Sequence, residues 1–132
     1  MISFQELQQL FDRGRRRWHL VGNENAGVVA GLDLEGRLYT VYQGKILNRV
    51  NPAVFSLEKG EGYVNPGGDG LWPAPEGTAF GYEYPTGQWR VPPGLTGARY
   101  RVLEAGRNTM TMRAEIDLIN AQGLGFWLDS LG

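Results

Sequence analysis

Six side chains in the middle of the chain have the types and spacing of a small-molecule site: Asp69, Trp72, Glu76, Tyr82, Trp89 and Arg90. Proton transfer needs an acid and a base on either side of the reacting bond, each within hydrogen-bond reach. Asp69 and Glu76 are the carboxylates best placed for such a pair, because both belong to an ordered, irregular loop near a sheet end. The four aromatics Trp72, Tyr82, Tyr84 and Trp89 offer flat apolar surface, and Asp69 and Arg90 offer directed polar groups; binding sites combine the two. Competing roles stay open for each. Asp69, set between Gly68 and Gly70, also suits a turn residue that accepts backbone N–H bonds. Aromatics in a β-protein fill cores, and the lone His19 falls on a strand face where a neighbour would satisfy it.

The elements that must position these residues follow from turn chemistry and periodicity. Residues 1–14 read as a helix: Ser3 is an N-cap, Glu6 completes a capping box, Phe4, Leu7, Leu10 and Phe11 share a face, and Gly14 ends it. The run Arg15-Arg16-Arg17 then suits a solvated helix C-terminus. Strands are expected at 18–21, 27–34 and 37–42, parted by Gly22-Asn23-Glu24-Asn25 and Glu35-Gly36, so a three-strand meander forms. Residues 45–50 read as a short strand or loop. Pro and Gly are too dense over 63–93 for a long helix, and that stretch is expected to be irregular, with short strands at 78–84 and 88–91 around a turn at Pro85-Thr86-Gly87. Strands at 98–104 and 109–119 follow, the second alternating Met110, Met112, Ala114, Ile116 and Leu118 with Thr111, Arg113, Glu115 and Asp117. A last strand is expected at 124–128. The fold class is therefore all-β, an antiparallel β-sandwich with one short N-terminal helix, in a single domain over 1–132.

Composition removes whole classes of function. Thirteen Lys and Arg against fourteen Asp and Glu leave a net charge of -1, without the electrostatic footprint of a nucleic-acid binder. The chain has no Cys and one His, which excludes disulfides, thiol nucleophiles and His-pair metal motifs; the acidic residues also lack the spacing of an EF-hand. Gly67-Gly68-Asp69-Gly70 is not a phosphate loop, since Pro73 and Pro75 follow where Lys and a helix are required. No cofactor is expected, no stretch approaches a membrane span, and the first residues lack the apolar core of a signal peptide, so the expected location is the cytoplasm.

The block Asn65-Pro66-Gly67-Gly68-Asp69-Gly70-Leu71-Trp72-Pro73-Ala74-Pro75-Glu76 resembles one found in bacterial proteins of the galactose mutarotase-like (aldose 1-epimerase) superfamily. Phe80-Gly81-Tyr82-Glu83-Tyr84 and Trp89-Arg90-Val91-Pro92-Pro93 are similar to its continuation, Gly36-Arg37-Leu38 resembles its early Gly-Arg strand, and the likeness covers residues 17–128. The resemblance implies half of a β-supersandwich whose concave sheet binds a sugar ring, with the aromatics stacking on a pyranose and Asp69, Glu76 and Arg90 bonding its hydroxyls. Enzymes of that group use a His acid and a carboxylate base and are about twice this length. This chain stops near the family's midpoint, and its His19 lies on the first strand rather than at a catalytic position. The implied function is noncatalytic recognition of a monosaccharide or oligosaccharide, with a homodimer covering the apolar face. The alternatives are an aldose epimerase whose site is completed by dimerisation or by a missing half, and an interaction domain that assembles through its sheet edge.

Overall fold

The computed structural model describes residues 1–56, 63–71 and 91–118 in full and residues 82–83, 88–89, 119 and 125–131 as backbone. Helix α1 (Phe4–Arg13) begins as its residues dictate. The Ser3 hydroxyl accepts from the Glu6 N–H at 3.1 Å and the Glu6 carboxylate accepts from the Ser3 N–H at 2.7 Å, a reciprocal capping box. Phe4, Leu7 and Phe11 then fall on one face and are buried.

That face needs a surface to cover, and a four-stranded antiparallel sheet supplies it: β1 (Trp18–Gly22), β2 (Ala26–Gly31), β3 (Arg37–Tyr42) and β4 (Lys45–Ile46), in that order. Side chains alternate across a sheet, so register decides which core each residue joins. Leu20, Val29 and Tyr39 are partners on one face, which packs on α1 and on the one-turn helix α2 (Ala53–Ser56). There Phe11 meets Phe55 edge-on, with ring centroids 4.9 Å apart. Ala30 and Leu38, partners on the other face, join the second core instead.

A two-stranded ribbon, β5 (Tyr82–Glu83) with β6 (Gln88–Trp89), and a short helix α3 (Pro93–Thr96) lead to a three-stranded antiparallel sheet of β7 (Arg101–Ala105), β8 (Met110–Ile119) and β9 (Gly125–Leu131). On β8 the alternation is visible in burial. Met112, Ala114, Ile116 and Leu118 are buried against Ala30, Leu32, Leu95 and Tyr100, while Glu115 and Asp117 are exposed. The protein is thus mostly antiparallel strands with an N-terminal helix, sandwich-like, with α1 and α2 forming a third layer outside the first sheet.

Several expected boundaries shift. The second strand stops at Gly31 rather than Leu34, because residues 32–36 form turns that bring Leu32 into hydrogen bonds with Arg17 and Tyr100. The strand expected from Ala98 starts at Arg101, after α3, which is seeded by Pro93 in its first turn. Of the strand expected at 78–84 only Tyr82–Glu83 is described, and the turn at residues 85–87 lies outside the described residues. The last strand runs on to Leu131. The arginine run is not a solvated helix end throughout. Arg16 donates to the carbonyls of Asp33, Val54 and Phe55, tying α1 to α2 and to the β2–β3 turn, and Arg17 clamps Asp33 at 2.6 Å. No helix among the described residues is long and apolar enough to cross a membrane.

Candidate functional site

The outer edge of β3 is where the Gly-rich segment docks. β4 pairs only with Val41 and Tyr42, leaving the backbone groups of Leu38 and Thr40 to be satisfied elsewhere. The Thr40 carbonyl accepts from Leu47 N–H, and the Thr40 N–H donates to Asn48 Oδ1 at 2.6 Å. Leu38 exchanges both of its bonds with Asp69, at 2.8 and 2.9 Å. A second bridge joins Val50 to Gly67, and Gly68 N–H donates to the Arg49 carbonyl at 3.0 Å. Residues 65–69 therefore complete the sheet edge where a strand is missing.

Glycine is required at two points of this docking. Gly67 and Gly68 both hold left-handed conformations, with φ of 81° and 67°. A Cβ on Gly67 would run into the Arg49 carbonyl, and one on Gly68 would sit 2.8 Å from the Leu38 carbonyl. Asn65 supports the turn by accepting Gly67 N–H on its side-chain oxygen at 2.9 Å. The turn role that suited Asp69 on composition thus belongs to Asn65, and the Asp69 carboxylate is exposed.

Between this loop and residues 48–51 lies a cleft of about 480 Å³ lined by Asn48, Arg49, Asn51, Asn65 and Asp69, with the backbone of Gly67 and Gly68. Asn48 holds the Asp69 carboxylate through Nδ2 at 3.2 Å. Asn51 donates to the Asn65 carbonyl at 3.3 Å and accepts Ala53 N–H at 3.2 Å. Each amide spends part of its capacity on positioning and keeps the rest, since an asparagine can donate twice and accept twice. Arg49 is exposed, and its guanidinium makes no bond to another described residue. The cleft offers donors and acceptors fixed in direction, with one carboxylate and one cation among the described residues.

No family model matches the chain, and no curated protein or solved structure matches it. The site therefore has to be understood from its own geometry, including what lies beneath it.

Under the loop sits a charged cluster of low exposure. Arg37 donates to Glu35 Oε2 from Nε and Nη2, at 3.1 and 2.9 Å, to the Tyr63 hydroxyl at 2.8 Å, and more weakly to the Gly68 carbonyl at 3.5 Å. The Arg37 and Glu35 side chains are only 10% and 14% exposed, so this pair is shielded from solvent as surface pairs are not. Burial pushes the Glu35 carboxyl above its ordinary value, against the pull of the Arg37 and Tyr63 contacts. Burial likewise raises the Tyr63 hydroxyl, helped by the Glu35 charge, and raises Tyr39 far more strongly. Tyr39 is fully buried and donates to the Pro66 carbonyl at 3.3 Å. The cluster anchors the loop from below and does not line the cleft.

Of the six residues singled out in the sequence, Asp69 lies in the cleft. Trp72, Glu76 and Arg90 lie outside the described residues. Tyr82 and Trp89 are register partners in the β5–β6 ribbon. His19 is the register partner of Ala30, half-buried on the face of β1 turned toward the second sheet. The sequence pattern does not single out Asn48, Arg49 or Asn51, and it marks Asn65 only as part of the Gly-rich motif. The available signal was the closeness of Asn48, Arg49 and Asn51 to one another just before a Pro, but three polar residues in a row of turns look the same whether or not a distant loop closes over them.

Proposed function

We propose that this chain is a carbohydrate-recognition domain of mutarotase-like type, binding a monosaccharide or the end of an oligosaccharide in the cleft between Asn48 and Asp69. The observation that carries the reading is the lining: three amides, one carboxylate, one guanidinium and glycine backbone around about 480 Å³, a volume in the range of small-molecule sites. Sugar hydroxyls both donate and accept. Amide and carboxylate groups held in fixed planes match them, and Asn48 and Asp69 are so held. Trp72, three positions after Asp69 in the sequence, is the stacking candidate that the sequence offers, and it lies outside the described residues. The reading is noncatalytic. Acid–base chemistry needs two groups flanking the reacting bond, and among the described residues Asp69 is the one carboxylate that lines the cleft, while Glu35 below the loop is bound to Arg37.

The test is titration of the protein with a panel of aldoses and short oligosaccharides, followed by amide shifts in NMR. Saturable binding of at least one sugar is expected, with the largest shifts at Asn48, Asn51 and residues 65–69. Asp69→Asn should weaken it by about 10-fold to 100-fold, the value of one charge-assisted hydrogen bond. If no sugar perturbs those amides at tens of millimolar, or if Asp69→Asn binds as the parent does while a site elsewhere responds, the proposal fails.

A further inference from the structure

The hydrogen-bonding capacity left open in the Asn48–Asp69 cleft is one-sided. An amide oxygen is told from its nitrogen by the partner it meets, and a backbone N–H meets each of the three asparagines of the lining. Asn48 Oδ1 accepts Thr40 N–H at 2.6 Å, Asn51 Oδ1 accepts Ala53 N–H at 3.2 Å, and Asn65 Oδ1 accepts Gly67 N–H at 2.9 Å. The backbone oxygens around them are occupied too. The Arg49 carbonyl accepts from Gly68 N–H, the Pro66 carbonyl from Asn51 N–H and the Tyr39 hydroxyl, and the Asp69 carbonyl from Leu38 N–H. The NH2 groups are used less. Among the described residues Asn48 Nδ2 donates to Asp69 and Asn51 Nδ2 to the Asn65 carbonyl, while Asn65 Nδ2 donates to none. An NH2 group can donate twice, so the open capacity of the lining is mostly N–H.

The charges of the lining are one cation and one anion, Arg49 and Asp69, so its sum is zero. Glu35 and Arg37 beneath the loop bond each other and leave that sum unchanged. Although Arg49 and Asp69 share the cleft, they form no ion pair: Asp69 is held by Asn48, and the exposed Arg49 guanidinium bonds to no described residue. A ligand that satisfies this cleft therefore needs an acceptor for the guanidinium and the spare amide N–H groups, and separately a donor for the Asp69 carboxylate.

We infer that the sugar recognised here is a uronic acid, its carboxylate taken by Arg49 with the spare amide N–H groups and its hydroxyls donating to Asp69. The inference rests on the sugar-recognition reading and narrows it to an acidic class. A carboxylate is acceptor-only and planar, and it meets a guanidinium fork through two parallel bonds. In a neutral sugar every hydroxyl brings a donor as well, and beyond Asp69 the lining has few open acceptors for it. A phosphorylated sugar would bring a charge of about −1.5 to −2 beside Asp69. A uronate brings a single charge and carries it on one end of the ring, away from most of its hydroxyls.

NMR titration of the full chain with galacturonate and glucuronate tests this, against galactose, glucose, the methyl esters of both acids, and acetate. At least one uronate should bind one-to-one, moving the amides of Asn48, Asn51 and residues 65–69, about tenfold or more tighter than its methyl ester and its neutral parent. Its preference over the ester should shrink as salt is added. Arg49→Gln should erase that preference, and Arg49→Lys should restore part of it, since an ammonium keeps the charge and lacks the fork. Folding of both variants is checked by circular dichroism, and the ester comparison is made on the parent protein and stands whatever the variants do. If a uronate and its ester bind alike at those amides, if Arg49→Gln weakens both equally, or if acetate binds as tightly as the uronate, the acidic-sugar inference is overturned while binding of sugars in the cleft still stands. If none of the sugars or uronates moves those amides, the sugar-recognition reading falls and this inference with it.

Discussion

Replacing Arg37 with methionine keeps most of the side-chain volume and removes the cation facing Glu35, and the size of the effect can be worked from how that carboxyl sits. Glu35 is 14% exposed and already titrates above its ordinary value because of burial, with Arg37 opposing the shift. Without Arg37 it has two choices: stay charged and unpaired in a shielded site, or take up a proton. Protonation sets the ceiling. Starting from an ordinary glutamate value of about 4.3, neutralising the group at pH 7 costs about 3.7 kcal/mol, and at pH 5 only about 1 kcal/mol. The sign follows from linkage: a carboxyl whose folded value is raised binds more protons when folded, so its stability contribution is lost as pH rises through that value. Arg37→Met should therefore destabilise by about 3 to 5 kcal/mol at pH 7, including the lost bonds to Tyr63 and Gly68, and by about 2 kcal/mol less at pH 5. In the Glu35→Gln background the pH dependence of the Arg37→Met effect should vanish. Urea denaturation followed by tryptophan fluorescence from pH 5 to 8, on both single variants and the double variant, reads this directly. If Arg37→Met costs the same at both ends of that range to within about 0.5 kcal/mol, the shielded ion pair is not what holds the loop.

Asp33 should behave in the opposite sense: burial pushes its carboxyl up, but the Arg17 hydrogen bonds and charge outweigh that and hold it low. Its contribution is present above the ordinary aspartate value and drains away as pH falls, so Asp33→Asn should cost about 1 kcal/mol at pH 6, discounted for the exposed Arg17, and almost nothing at pH 2 to 3 in chemical denaturation. Gly67→Ala should cost about 2 kcal/mol or more, combining left-handed strain with the Arg49 carbonyl clash. Gly44→Ala is the control, with a similar φ of 73° and open space around it, and should cost about 1 kcal/mol; equal losses in thermal denaturation would show that the close approach at Gly67 does not matter. Ser3→Ala should destabilise by about 1 kcal/mol through loss of the cap and lower the protection of the first α1 amides in hydrogen exchange.

The features legible in the sequence are those governed by neighbours a few residues apart. The Ser3–Glu6 capping box, the strand alternation from Met110 to Leu118 and the three-strand meander depend on local geometry and polarity period, and the structure has them. The Gly-rich block was recognisable as special because two glycines in left-handed conformations leave a mark on composition. Its meaning was not recoverable from that mark. Gly67 and Gly68 are glycines because the backbone of Arg49 and Leu38 approaches them, and neither neighbour is near in sequence.

Tertiary structure decided the rest, for the same reason. β2 reads as a simple apolar strand, yet Val29 and Ala30 serve two different cores, since α1 covers one face of the sheet and β8 the other. Arg16 and Arg17 look like a solvated run until three carbonyls and Asp33 come around them. The cleft itself gathers Asn48, Asn51, Asn65 and Asp69 because a two-residue β4 leaves the edge of β3 unfilled and the later loop must satisfy it. Hydrogen-bond satisfaction of a sheet edge is a rule that operates across the whole chain, and only the folded arrangement shows which distant segment meets it.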